Sequence, residues 1–164
     1  MKFTIDTEFN GFGGELLSMA LVPWEDDWAP SLYLRVPRAL GPLEEWVKEN
    51  VWPEMDQIPW SVASSDWAMV SPVKEWAGII ARYLTDAEHR VGVPYIIADW
   101  PDDIRYFCQT IITGPGEMAP IARMQFDVVR VDPWEAGFST PGAVRHNAYW
   151  DAVALRDHLK ARSA

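Results

Sequence analysis

Lys2-Phe3-Thr4-Ile5-Asp6-Thr7-Glu8 opens the chain, and its reading decides the fold. Lys2 to Asp6 reads as a short buried strand that ends in acid. Side chains alternate along a strand, so Asp6 and Glu8 point together while Thr7 turns to the other side. Two carboxylates on one face at a strand end make a hard-oxygen site suited to Mg²⁺ or Mn²⁺. Alone the pattern is weak, because average composition yields a chance Asp-x-Glu roughly once in a few hundred residues. The chain carries such a copy, Asp86-Ala87-Glu88, which follows an amphipathic stripe among polar residues and reads as solvated helix-end charge.

Outward from that strand, Gly11, Gly13 and Gly14 mark a turn before a second strand, Leu16 to Val22, and Ser31 to Val36 alternates as a third. Short connections between the three favour an antiparallel meander. A helix is expected from Pro42 towards Asn50, with Pro in its first turn. The Pro- and Trp-rich stretch Trp52 to Asp66 has no clear period and reads as irregular. Ser71-Pro72 resembles an N-cap and first helical residue, followed by Trp76, Ile79, Ile80, Tyr83 and Leu84 at helical spacing. Tyr95 to Ala98 is a continuous apolar run suited to a central strand buried on both faces.

A helix is expected from about Pro101, with Ile104, Phe107, Cys108 and Ile111 on its buried face and Asp102, Arg105 and Tyr106 on a solvated flank. Arg123 to Val131 reads as a last strand, with Met124, Phe126, Val128 and Arg130 on one side. Asp132 to Val144 is a loop by composition, and Asn147 to about Lys160 closes the chain as a helix. The order βββα then αβαβα implies an α/β fold: a mixed five-stranded sheet, an antiparallel meander plus parallel strands, flanked by helices.

The 164 residues, about half of them apolar, suit one core, so residues 1–164 are read as a single domain. A formal charge of -10 argues against a broad basic face for long nucleic acid and favours short substrates or chain ends. The one cysteine, Cys108, excludes an internal disulfide and reads as a small core residue. No signal peptide and no apolar stretch of bilayer length are legible, so a cytoplasmic location without membrane contact is expected. Ten tryptophans (24, 28, 46, 52, 60, 67, 76, 100, 134 and 150) are read mostly as core or subunit contacts, with one or two free to stack on a base.

Two further elements can carry chemistry. Asp99, Asp102 and Asp103 lie at a strand-helix junction, where capping and dipole effects explain acids without any ligand. Periodicity separates them: Asp103 lies above the buried stripe, Asp102 heads the solvated flank, and Asp99 either caps the helix or backs a metal ligand. Near the other end stands Arg145-His146-Asn147-Ala148-Tyr149-Trp150-Asp151. Residues five apart on one helix diverge by about 140°. His146 and Asp151 therefore diverge if both are helical, and can converge if Asn147 caps the helix, leaving His146 on the preceding loop.

Asp6-Thr7-Glu8-Phe9, Asp103 followed by Ile104 and Phe107, and His146-x4-Asp151, in that order, resemble the three motifs of DEDDh (DnaQ-like) 3′-5′ exonucleases. This is the family of the replicative proofreading subunit, RNase T and oligoribonuclease, and the resemblance covers nearly the whole chain. The short length, and Phe9 instead of a Thr-Gly pair, look more like the small bacterial exoribonuclease branch. At Trp100-Pro101-Asp102 the chain departs from relatives that often carry His-Asn before the acid.

The resemblance implies an RNase H-like sheet in which Asp6, Glu8, Asp103 and Asp151 hold two divalent cations, Mg²⁺ or Mn²⁺, and His146 is the general base. It implies Phe9 and Asn10 as contacts to the terminal nucleoside, with core packing the other reading of Phe9. Arg145 is a candidate phosphate contact. The implied activity is hydrolysis of single-stranded or short RNA from the 3′ end to nucleoside 5′-monophosphates by a homodimer. A DNA-trimming enzyme of the same fold, and a catalytically silent nucleic-acid-binding module, are the competing readings. A phosphatase with Asp6 as nucleophile fits less well, because Glu8 stands where a second Asp is usual.

Overall fold

A computed structural model describes residues 1–25, 29–121 and 123–163, with the side chains of 89–91 outside that description; Trp28 falls outside the described residues. In chain order the elements are β1 (Lys2–Phe9), β2 (Leu16–Pro23), β3 (Leu32–Arg35), α1 (Glu45–Asn50), α2 (Trp60–Ala63) and β4 (Ala68–Val70). They continue with α3 (Val73–Val91), β5 (Tyr95–Ala98), α4 (Pro101–Ile111), β6 (Ile112–Gly114), β7 (Glu117–Met118), β8 (Gln125–Val128) and α5 (Ala148–Ser163). The main sheet is mixed and six-stranded, in the order β4-β3-β2-β1-β5-β8. β1, β2 and β3 form the expected antiparallel meander, and β5 joins β1 in parallel with Thr4 opposite Ile97.

Strand periodicity divides two cores. Phe3 and Ile5 of β1 and Leu17, Met19 and Leu21 of β2 pack under α3 and α4, against Trp76, Ile80, Leu84 and Phe107. Ala20 and Val22 turn to the opposite face, where α5 covers them with Ala148, Trp150, Ala152 and Val153. The Thr4 hydroxyl donates to the Ala152 carbonyl at 2.7 Å, so α5 is seated on β1. Both faces of the central strands are covered, which is why β2 is buried throughout and Ile96, Ile97 and Ala98 of β5 are all buried.

Asn147 caps α5 as expected: its Oδ1 accepts from the backbone N–H groups of Tyr149 (3.0 Å) and Trp150 (3.3 Å). Its Nδ2 donates to the Glu54 carbonyl at 2.7 Å, and the Trp150 indole donates to the Gln57 carbonyl at 2.6 Å. Those bonds fix the aperiodic stretch, which holds a 3₁₀ turn at Trp52–Glu54 and the short α2.

Several expectations are corrected. The sheet has six strands and not five, because Ala68–Val70 pairs in parallel with β3; three residues are too short to show a period, and only the neighbouring strand defines them. β6 and β7 form a separate hairpin that the sequence reading passed over. Pro42 precedes its helix, which starts at Glu45, because Asn10 binds the Pro42 carbonyl and the Glu44 N–H and holds that segment extended. Pro72 is itself the cap position of α3, and Ser71 makes no side-chain cap.

The helix α3 runs on to Gly92, whose φ of 94° ends it, so Asp86 and Glu88 lie within the helix. Tyr106 is buried, its hydroxyl bound to the Gly14 carbonyl at 2.7 Å, whereas Cys108 is half-buried with its thiol pushed up by desolvation. β8 covers only Gln125–Val128 and is an exposed edge strand. Of the described tryptophans only Trp76 and Trp150 are buried, so burial does not account for most of them. Among the described residues no helix is long and apolar enough to cross a membrane.

Candidate metal centre

The C-terminal ends of β1 and β5 lie side by side at the middle of the sheet, and the helices on opposite faces both begin there. Acids in the first turns of α4 and α5 therefore meet the acids that end the strands. An open cleft of about 800 Å³ covers this junction. Asp6, Glu8, Asp99, Asp103 and Asp151 all line it, as does His146.

Within the cleft the side chains form two groups able to hold a metal ion. Asp6, Asp99 and Asp103 make one, and Glu8, His146 and Asp151 the other; in each, one ligand atom per residue lies within 4.8 Å of the others. Asp103 reaches the first group although it is on the α4 side of the sheet. Thr7, which alternates to that side, holds it: the Thr7 N–H and hydroxyl both donate to Asp103 Oδ1, at 3.0 and 2.6 Å. Asp103 Oδ2 and Asp6 Oδ2 are then buried with no partner among the described residues.

Asp151 is fixed from two sides. The His146 backbone N–H donates to its Oδ2 at 3.0 Å, and the Trp134 indole donates to its Oδ1. His146 takes a left-handed backbone, φ 63°, uncommon for a residue other than glycine. Its ring meets Trp46 edge-on, centroids 4.9 Å apart.

The electrostatics follow from crowding and burial. Burial first, and then neighbouring carboxylates, push Asp6 and Glu8 well above the usual carboxylate range. Burial raises Asp103 to about 7 against the lowering effect of the Thr7 hydroxyl, and Asp151 to about 7 against that of the Trp134 indole. Asp99 is raised to about 6, again chiefly by burial. Such a set takes up protons unless cations replace them. Unpartnered buried carboxylate oxygens and an oxygen-rich donor set fit a hard divalent ion. His146 moves the other way: desolvation and then Arg145 hold its pKa below the ordinary 6.5.

The remaining site residues divide. Phe9 lines the cleft but stacks on Tyr106, centroids 4.8 Å apart. Asn10 does not line it, and both ends of its amide are engaged, by the Pro42 carbonyl and the Glu44 N–H. Arg145 is at the cleft, paired with Asp132 at 2.5 Å. Asp132 in turn accepts from the backbone N–H groups of Trp134 and Glu135, which shapes the loop that carries Trp134.

Sequence reasoning passed over Trp134, Phe12, Trp46 and Arg130. Phe12, an aromatic set among turn glycines, was a usable signal, because it is 82% exposed at the cleft. Trp46 (54% exposed) and Trp134 had none, since only the folded chain sets them beside His146 and Asp151. The fold and site thus give an α/β protein with a candidate metal centre at the C-terminal ends of its central strands. Comparison of the chain with protein-family models and with curated proteins gives no match.

Proposed function

We propose that this chain is a metal-dependent 3′-5′ exonuclease of the DEDDh type on an RNase H-like sheet. It would hydrolyse single-stranded or short RNA from the 3′ end and release nucleoside 5′-monophosphates. The observation that supports it is the gathering of Asp6, Glu8, Asp103, Asp151 and His146, taken from both ends and the middle of the chain, in one cleft.

In this reading Asp6 and Asp103 hold one divalent cation, Mg²⁺ or Mn²⁺, and Glu8 and Asp151 a second. Such ions supply Lewis acidity, lowering the pKa of water and stabilising charge on a phosphate under in-line attack. His146, kept neutral near pH 7 by desolvation and Arg145, accepts the proton of the attacking water on a ring nitrogen. The new P–O bond forms as the bond from phosphorus to the departing 3′ oxygen breaks, and solvent protonates that oxygen.

Phe12 and Trp46, exposed at the mouth, offer faces on which bases stack without regard to sequence. Arg130 and Arg145 are the cations lining the cleft, too few for a duplex track and suited to a chain end. Preference for RNA and a homodimeric state rest on the family resemblance.

The test incubates purified protein with 5′-labelled RNA and DNA oligomers in Mg²⁺, Mn²⁺ or EDTA, beside Asp6→Ala and His146→Ala. A 3′-shortening ladder that needs metal and vanishes in both variants is expected. A ladder on DNA alone would make it a DNA-trimming enzyme. Binding without hydrolysis in every condition would refute the reading and leave a silent binding module.

A further inference from the structure

Among the described residues neither capping nor ion pairing explains the position of Asp99. It follows directly on β5, yet α4 takes Trp100 as its cap residue and has no side-chain cap. Among the described residues it joins no ion pair, in contrast to Asp102, which binds Arg105 at 2.6 Å. Register places it where a ligand is needed. Thr4 of β1 faces Ile97 of β5 in a parallel pair, and Asp6 and Asp99 each lie two residues further on. A period of two carries both side chains to the same face, on chains about 4.8 Å apart.

A second observation shows what this end of the two strands is for. Asp103 is 2% exposed, and one of its oxygens, Oδ1, is held by the Thr7 N–H and hydroxyl. The other, Oδ2, has no partner among the described residues, and neither has Oδ2 of Asp6. Asp6, Asp99 and Asp103 each bring a carboxylate oxygen within 4.8 Å of the others. A buried charged oxygen left without a donor is costly, and a cation in the midst of these three relieves it.

We infer that Asp99 is a direct ligand of a divalent cation shared with Asp6 and Asp103, so that this ion position is held by three carboxylates of the protein. The inference rests on the cleft being a metal centre and not on the identity of its substrate. Three carboxylates more than offset the charge of one divalent ion, and water completes its coordination. This position therefore fills in the free protein, before any phosphate arrives. The other position, at Glu8 and Asp151 beside His146, takes no ligand from Asp99 and should keep its ion when Asp99 is changed, although the Asp99 charge reaches both of its carboxylates.

The experiment titrates the metal-free full chain with Mn²⁺ and no nucleic acid, following free Mn²⁺ by electron paramagnetic resonance and heat by calorimetry. The wild type is expected to take up two ions. Asp99→Asn should lose one of them or bind it at least tenfold more weakly, whereas Asp102→Asn should bind as the wild type does. Two ions in Asp99→Asn with affinities within twofold of wild type would overturn the inference. Asp99→Ser, expected to show the same loss, guards against an amide oxygen that still coordinates. Melting of each metal-free variant checks folding, which removal of a crowded carboxylate should not harm.

The outcomes separate the two proposals. Loss of an ion in Asp99→Asn, in a protein that leaves RNA intact, keeps the ligand and removes the nuclease. Cleavage of RNA by a protein whose Asp99→Asn variant binds both ions normally does the reverse. A wild type that binds no Mn²⁺ overturns both.

Discussion

Thr7 and Asp103 are joined twice, by the Thr7 N–H at 3.0 Å and the Thr7 hydroxyl at 2.6 Å, both to Asp103 Oδ1. Thr7 stands between Asp6 and Glu8, so this pair ties the strand acids to the helix acid across the sheet. Thr7→Val keeps the shape and the N–H but removes the hydroxyl. A hydrogen bond to a charged acceptor is worth about 1.5–3 kcal/mol. The Asp103 carboxyl should rise further above its value of about 7, and Mn²⁺ affinity should fall about tenfold or more at that rate of exchange. Unchanged Mn²⁺ affinity, by calorimetry, would remove Thr7 from the account.

Metal-free stability should fall as pH rises. Asp99 is raised to about 6, and Asp103 and Asp151 to about 7, from the ordinary aspartate value of about 3.9. Between about pH 4 and 7 the folded chain therefore holds more protons than the unfolded one, and stability declines with pH through that window. Above it the contribution is gone. Calorimetry in EDTA should show the melting temperature dropping by about 10 °C from pH 5 to pH 8, the scale of a few kcal/mol in a domain of this size. Saturating Mg²⁺ should abolish the decline, since cations then take the place of the protons. A flat profile in EDTA would contradict the crowding of these carboxylates.

Trp134→Phe keeps the ring that meets Phe138 edge-on but removes the indole donor to Asp151. That donor lowers the Asp151 pKa, so its loss raises the pKa and shifts the acid limb of a pH–rate profile towards higher pH. Groups that orient a metal ligand typically change metal affinity about 10–100-fold. A purely structural tryptophan would lower the melting temperature and leave both the limb and Mn²⁺ binding in place.

His146→Asn separates the imidazole from its backbone. The left-handed φ of 63° is tolerated by Asn, so folding should be kept. Loss of a general base should reduce turnover of an RNA oligomer by roughly 10²–10⁴-fold. Retention of both Mn²⁺ ions is expected alongside; loss of one would make His146 a ligand of the Glu8 and Asp151 group instead of a base.

Phe12→Ala should leave the melting temperature unchanged, because the ring is already 82% exposed. A base stacked on an aromatic ring is worth about 1–3 kcal/mol. KM for a short RNA should therefore rise about tenfold while kcat holds. Equal KM values for the two proteins would show that the ring does not meet the substrate.

Much of the fold was legible because it is repeated locally. The alternation in Lys2–Phe9, the apolar runs of Leu16–Pro23 and Tyr95–Ala98, and the stripe through Trp76, Ile80 and Leu84 each state their own periods. The Asn147 cap was legible for a similar reason: it is a local geometry that lets His146 and Asp151 meet, and the helix begins there. Pro42 and Pro72 misled, because proline fits both the first turn of a helix and the extended residue before one.

By itself the sequence determined the central strands, the long helices, and the side of β1 on which Asp6 and Glu8 project, since each depends on residues a few positions apart. The tertiary structure alone decided that Ala68–Val70 becomes a sixth strand, that Asp99 stands with Asp6 and Asp103, and that Trp134 reaches Asp151. Those contacts join segments whose own sequences carry no trace of one another, and they form only when burial of the two cores brings the strand ends and helix starts to one place.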